Sequence, residues 1–451
     1  MQSALPKVLH PIAGRPIVDY VVQAAFDAGT DDVVVVVGHG AEAVVASLGR
    51  SFGDRVRSVV QAERRGTGHA AMVGLEAVDP AVSDVLVLCG DTPLLQASDL
   101  VRLLAALRGA PHAPLAMLTC SLSDPTGYGR VLRNHSGDIV GVREQRDASG
   151  EEVRIKEVNP AVYAARSELL RRELPRLRPD NAQGELYLTD IVAVAAVGGG
   201  VTGADADATT LSGINDRAQL HAAEERLIQR INEGWRRRGV TIRGAARIDA
   251  TVLLEQDVII EHGAVLRGRT RVGSGAVVDV GAVLTDAEIG PGVNVKPYSV
   301  VTSSTAARAA QIGPFSHLRP GSVIGAEAHV GNFVETKNTV LGPGAKANHL
   351  AYLGDGDVGA RANIGAGTIF CNYDGFRKHR TVIGEGAFIG SDSQLIAPVN
   401  IGAGAYVATG TTVTKDVPAD DLAIARVRQE NKPGYAKALR ERLAVGDRKP
   451  T

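Results

Sequence analysis

In the second half of this chain a hydrophobic residue returns every six positions. Ile383, Ile389, Leu395, Ile401, Val407 and Val413 keep that step, and Gly384, Gly390 and Gly402 directly follow three of them. So do Ile312, Leu318, Ile324 and Val330, and further upstream Ile248, Leu254, Ile260, Leu266, Val272, Val278 and Leu284. A helix repeats after about 3.6 residues and a strand after two, so a six-residue period fits neither a lone helix nor an ordinary hairpin. It fits a coil whose three sides are short strands, each with one inward residue. The pattern predicts such a coil from about 245 to 425. It slips near 300–310 and 368–380, where loops should protrude.

Composition agrees where it bears on this. Glycine is abundant, at 52 residues, and aromatics make up only 4%. Thin coils filled by Val, Ile, Leu and Ala account for both. At 451 residues the chain is too long for a single core. Its 49 basic and 50 acidic side chains nearly cancel, which argues against nucleic acid or an anionic membrane as partner. Cys89, Cys120 and Cys371 lie far apart and form no metal or disulfide pattern, as expected in a reducing cytoplasm. No apolar run is long enough to span a membrane, and the first residues contain no signal-peptide core.

Residues 1–200 alternate strands with helices. Val33–Val37, Val85–Leu88 and Leu115–Leu122 read as buried strands, and Ile17–Ala28 and His69–Val78 as helices. Such alternation predicts a mainly parallel α/β sheet covered on both faces, with ligands at the carboxyl ends of its strands. One helix should run from Asp216 to about Arg238, its apolar stripe made by Leu220, Leu227, Ile228, Ile231 and Trp235. Arg236-Arg237-Arg238-Gly239 suits its end. The expected divisions are residues 1–215, a helical connector at 216–240 and the coil with its tail at 241–451. From Lys432 the tail should be a short helix or unstructured.

Several segments carry chemistry. Leu5-Pro6-Lys7-Val8-Leu9 precedes Ile12-Ala13-Gly14-Arg15-Pro16, and Gln61-Ala62-Glu63 leads into Gly66-Thr67-Gly68-His69-Ala70. Cys89-Gly90-Asp91-Thr92-Pro93-Leu94 ends a strand, and Gly127-Tyr128-Gly129-Arg130 lies in a loop before Glu144 and Asn159. An Asp at a strand end can hold Mg²⁺, or simply cap the next element. Lys7 can offset phosphate charge, or be solvated. His349, in Asn348-His349-Leu350-Ala351-Tyr352, can take a proton from an amine near neutral pH, or be held by hydrogen bonds on a strand face. Arg319 and Lys337 stand on successive coils, where they can grip a sugar phosphate or remain edge charges.

Together these motifs resemble the bifunctional N-acetylglucosamine-1-phosphate uridyltransferase/glucosamine-1-phosphate acetyltransferase family, and the resemblance covers essentially the whole chain in order. The coil matches through Asn-His-Leu-Ala-Tyr-Leu-Gly-Asp from Asn348 and Gly-Thr-Ile-Phe-Cys-Asn-Tyr-Asp-Gly from Gly367. The resemblance implies a Rossmann-like nucleotidyltransferase domain, a linker helix and a left-handed parallel β-helix of hexapeptide repeats. It makes Asp91 and Asn215 the Mg²⁺ ligands. Lys7, Gln61, Gly66, Thr67, Cys89, Gly90, Gly129, Glu144, Asn159, Gly213 and Asn215 become the UTP and UDP-N-acetylglucosamine contacts. His349 becomes the proton acceptor, and Arg319, Lys337, Tyr352 and Asn363 hold glucosamine phosphate. Ala366, Asn372, Tyr373, Ser391, Thr409 and Arg426 become acetyl-coenzyme A contacts. The implied protein is a cytoplasmic homotrimer acting on small molecules. It acetylates glucosamine 1-phosphate, then makes UDP-N-acetylglucosamine and pyrophosphate from UTP, supplying peptidoglycan and lipopolysaccharide precursors.

Three departures stand out. The family opens with a strand and a Leu-Ala-Ala-Gly-x-Gly-Thr-Arg-Met segment, and Met1 falls at its last position. The expectation is a start placed too far downstream; the alternative is an acetyltransferase whose nucleotidyltransferase domain is inactive. Asn159-Pro160-Ala161 replaces the usual Asn-Thr-Gly, and Thr409 stands where many relatives have Ala. A non-enzymatic regulatory subunit is a further alternative, against which the His349, Lys337 and Arg319 set speaks.

Overall fold

The computed structural model describes residues 1–211 and 213–446. They form two compact units, residues 1–233 with 249–251, and residues 234–248 with 252 onward.

In the first unit, β1 (Pro11–Ile12) and β2 (Arg15–Pro16) form a small hairpin ahead of α1 (Ile17–Asp27). Next come β3 (Val33–Val37), α2 (Ala41–Phe52), β4 (Val56–Val60), α3 (Thr67–Glu76), β5 (Asp84–Val87), α4 (Ala97–Gly109) and β6 (Leu115–Ser121). β7 (Gly129–Arg133), β8 (Ile139–Arg143), β9 (Glu157–Asn159), β10 (Tyr163–Arg166), α5 (Ser167–Glu173), α6 (Asp190–Gly198), β11 (Val201–Asp205) and α7 (Arg217–Arg237) complete it. β-branched runs such as Val33–Val37 favour extended backbone because their crowded side chains pack well on a pleated surface.

The main sheet has the order β5-β10-β6-β9-β7-β8, with β11 parallel to β6. It is mixed rather than mainly parallel. β10 runs antiparallel to both β5 and β6, and the β7–β8 pair closes through a short turn at Asn134–Gly137. Only antiparallel strands can be joined by so short a link. Apolar clusters cover the sheet, one around Leu115, Met117, Tyr163 and Ile191 and another around Leu100, Leu103, Leu118 and Val158. Among the described residues β3 pairs only with β4. The apolar slot between β3 and β5 has a volume of about 550 Å³ and reaches Thr67, Cys89, Gly90 and Glu144.

The helix expected as a connector, α7, does run from the first unit into the second, and its apolar stripe is also buried in the first. Leu220, Ala223, Leu227, Ile228 and Ile231 of α7 pack on Ile12, Ile17, Leu94 and Ile214. Gly239, at φ +90°, follows its end as the sequence predicts.

The second unit is a parallel β-solenoid with three walls. The first runs from Thr241–Ile242 to Leu422–Ala423, the second from Arg247–Ile248 to Thr412–Val413, the third from Leu253–Leu254 to Val399–Ile401. Each strand pairs in parallel with the one a full turn later. The six-residue column points inward: Ile260, Leu266 and Val272 are at most 1% exposed. Gly390 shows why small residues follow it, since a Cβ there would lie 2.5 Å from the Thr409 nitrogen of the next turn.

Only one of the two expected loops protrudes. At Ser303–Ser304 the coil stays tight, and the Ser304 hydroxyl donates to the Thr302 and Arg319 carbonyls at 2.8 and 2.9 Å. Residues 372–380 do leave the coil, between strands Ile369–Cys371 and Thr381–Ile383. The tail forms α8 (Tyr435–Gly446); the part of the expected tail after residue 446 lies outside the described residues. Among the described residues no helix is long and apolar enough to cross a membrane.

Candidate active sites

In the first unit three sequence-predicted residues converge. The Lys7 ammonium donates to Asp91 Oδ2 at 2.6 Å and to Asn215 Oδ1 at 3.2 Å. Lys7 opens a short turn behind Pro6, and Asp91 lies just beyond β5. The Ile214 amide donates to the Asp91 carbonyl at 3.0 Å, so Gly213 and Asn215 are tied to the same strand end. Two hard oxygens thus already face a cation, the lysine itself. That donor set suits Mg²⁺, which takes few protein ligands and keeps phosphate oxygens and water.

Cys89 lies at the same strand end. Burial, reinforced by the Asp91 carboxylate, pushes its thiol up to about 12. It stays protonated at neutral pH, so it can line the site but is no thiolate nucleophile. Gln61 donates to the Gly66 carbonyl at 3.2 Å and contacts His69 Nδ1 at 3.1 Å. Gly66, at φ +104°, has a reason apart from any ligand: a Cβ there would lie 2.6 Å from the Leu186 carbonyl oxygen. The Thr67 hydroxyl accepts from the Leu188 amide at 3.0 Å. The Gly-Thr-Gly segment is therefore pinned to residues 186–188, a contact the sequence did not signal.

Gly129, Glu144 and Asn159 meet where β7, β8 and β9 converge. A Cβ on Gly129 would stand 3.5 Å from Glu144 Oε1. Burial raises the Glu144 pKa, opposed by a hydrogen bond from the Thr189 hydroxyl at 3.1 Å. Asn159 is buried, donating to the Tyr163 hydroxyl at 2.6 Å and accepting from the Ala161 amide at 3.0 Å. The Asn159-Pro160-Ala161 departure thus keeps a tight turn, with Ala161 at φ +58°.

In the solenoid, His349, Ala366, Ser391 and Thr409 each lie three residues beyond Lys346, Asn363, Phe388 and Tyr406, which pair in register turn upon turn. The four therefore form one column along an edge. At about 4.8 Å per turn it spans about 14 Å. His349 is exposed and its ring accepts and donates no hydrogen bond among the described residues. Arg426 reaches the top of the column, its guanidinium donating to the Thr409 carbonyl.

Arg319, Lys337 and Tyr352 belong to the second wall, whereas Asn363 lies on the first. Arg319 pairs with Glu335 at 2.7 Å. Sequence reasoning missed Lys378, which the 372–380 loop folds back beside Lys337 and 4.0 Å from Asp355 Oδ2. This neighbouring cation pulls the Lys337 pKa down. Asn372 is buried and donates to Asp355 Oδ2 at 2.6 Å, so it staples the loop. Tyr373 is exposed, its hydroxyl donating to the Gly375 carbonyl at 2.6 Å. Asp374 accepts from the amides of Phe376 and Arg377 at 2.7 and 2.6 Å and meets His379 Nε2 at 2.6 Å. No signal in the sequence placed Lys378 at the site, because only the loop's fold brings it there.

Comparison with known proteins agrees with both halves. Residues 1–187 match the MobA-like NTP transferase domain and residues 380–415 the bacterial transferase hexapeptide (six repeats). The bifunctional protein GlmU of Sorangium cellulosum (strain So ce56) is 62% identical over 447 residues, 98% of this chain and 94% of the relative. That of Trichlorobacter lovleyi is 47% identical over 446 residues, 98% of this chain and 96% of its own. That of Anaeromyxobacter dehalogenans (strain 2CP-1) is 50% identical over 438 residues, 96% and 90%. With such likeness along the whole chain, this protein belongs to the bifunctional GlmU family.

Proposed function

We propose that the chain acetylates glucosamine 1-phosphate with acetyl-coenzyme A in the solenoid unit, and joins UMP from UTP to N-acetylglucosamine 1-phosphate in the first unit. The products of the second step are UDP-N-acetylglucosamine and pyrophosphate. The alignment of His349 with Ala366, Ser391 and Thr409 carries the acetyl half. An extended thioester arm laid along that column would end at a free imidazole. His349 then takes the proton from the substrate amine as nitrogen attacks the thioester carbonyl. The new amide bond replaces the C–S bond, and the coenzyme leaves as the thiol. Arg319, Lys337 and Lys378 supply cations for the sugar phosphate.

In the first unit Lys7 offsets phosphate charge while a phosphate oxygen of the sugar attacks the α-phosphate of UTP. Asp91 and Asn215 would hold Mg²⁺, which when bound neutralises the triphosphate. Glu144, Gly129 and Asn159 frame the sugar end. We assign the protein to the cytoplasm as a homotrimer. The trimer is supported by the division of the glucosamine-phosphate residues between two walls: Asn363 of one copy can complete a site begun by Arg319, Lys337 and Tyr352 of another.

Separate assays of the two half-reactions test the scheme. His349→Ala should lower acetyl transfer by about two to four orders of magnitude and leave uridyl transfer intact. Asp91→Ala should do the reverse. Full acetyl transfer by the His349 variant would remove the assigned base.

A further inference from the structure

We propose that Arg130 is a positioning residue for the sugar end of the nucleotide-sugar site. This rests on the assignment of Gly129, Glu144 and Asn159 to the sugar. Arg130 is only 1% exposed, yet it takes part in no ion pair among the described residues. Its acceptors are neutral. Nη1 donates to the Tyr128 carbonyl, while Nη2 donates to Gln145 Oε1 at 2.7 Å and to the Val153 carbonyl at 3.4 Å. Its Nε is buried without a partner.

A buried guanidinium with no carboxylate is costly, so what it holds should matter. Its register shows what that is. Arg130 pairs across β7 with Arg143 of β8 and with Val158 of β9. Gly129, Glu144 and Asn159 are therefore each one residue from Arg130 or from one of its partners. Gln145 Oε1 also accepts from the Gly127 amide at 3.2 Å. One fork and one amide thus tie residues 127–128, 145 and 153 together beside the Gly129 and Glu144 edges of the sugar pocket, while the Asn159 edge joins them through the β7–β9 register. A planar fork can bond several segments at fixed angles, which an ammonium cannot.

The test is calorimetric titration of the full chain with UDP-N-acetylglucosamine and, separately, with UDP. Arg130→Lys and Gln145→Met should each weaken UDP-N-acetylglucosamine binding about tenfold and change UDP binding less than about twofold. Gln145→Met keeps the test decisive should the arginine variant fold poorly. Equal weakening of both ligands would reduce Arg130 to general scaffolding and overturn the proposal. So would no change in either. Glu144→Gln separates the two levels. If it weakens UDP-N-acetylglucosamine while the other variants do not, the positioning role falls and the sugar assignment stands. If it too has no effect, the sugar assignment falls with it.

Discussion

Lys378→Met asks whether a residue invisible in the sequence pattern serves the acetyl-transfer site. The substitution removes a charge and keeps most of the stem. Lys378 stands beside Lys337, with Asp355 at 4.0 Å, and its side chain is 48% exposed. A buried charge-assisted contact to phosphate would be worth far more than tenfold, and a fully exposed pair only a few-fold. Half exposure places the loss near tenfold, in KM for glucosamine 1-phosphate, with KM for acetyl-coenzyme A unchanged. A pH effect follows. Lys378 lowers the Lys337 pKa through their direct contact and like charge. In the wild type, Lys337 therefore sheds its proton, and its grip on phosphate, at lower pH than an ordinary lysine. In the variant that pKa rises again, so the alkaline increase in KM should move to higher pH. Initial-rate measurements from about pH 7 to about pH 10 read both effects. An unchanged KM, a fall in kcat alone, or an alkaline limb at the same pH would each refute the reasoning.

Ala161→Gly should stabilise the first unit by about 0.5–1 kcal/mol. Relief of the φ +58° alanine outweighs the added freedom of the unfolded chain. Thermal unfolding checks it, and a lowered midpoint counts against it. Gly390→Ala should cost about 1–3 kcal/mol and raise KM for acetyl-coenzyme A, because the new methyl meets the Thr409 backbone. Backbone and hydrogen-bonding partners, first the Arg377 amide and then His379, hold Asp374 down to about 2. A depressed carboxylate stabilises above its unfolded pKa and loses that effect as pH falls through the folded value. Hydrogen exchange at Phe376 and Arg377 should thus lose protection between about pH 4 and about pH 2, and constant protection there would contradict it.

The six-residue repeat determined the solenoid by itself, because one inward position per side leaves a hydrophobic side chain no other place. It also placed His349, Arg319 and Lys337 on the coils, where the structure leaves His349 exposed and Arg319 and Lys337 half-buried. The strands Val33–Val37 and Leu115–Ser121 were legible because the first is a continuous run of valine and the second is mostly apolar. Pairing partners were not. The antiparallel β10 between β5 and β6 depends on which strands meet, and local propensity carries no such information.

The connector α7 was legible in the sequence; what its apolar stripe packs against was decided by the fold. Only the fold revealed that Gly66 yields to Leu186, that Asn372 staples a loop, and that Lys378 returns to Lys337. These contacts join residues distant in sequence or folded back within an irregular loop. Periodicity fixes which way a side chain faces, whereas only tertiary structure decides what it meets.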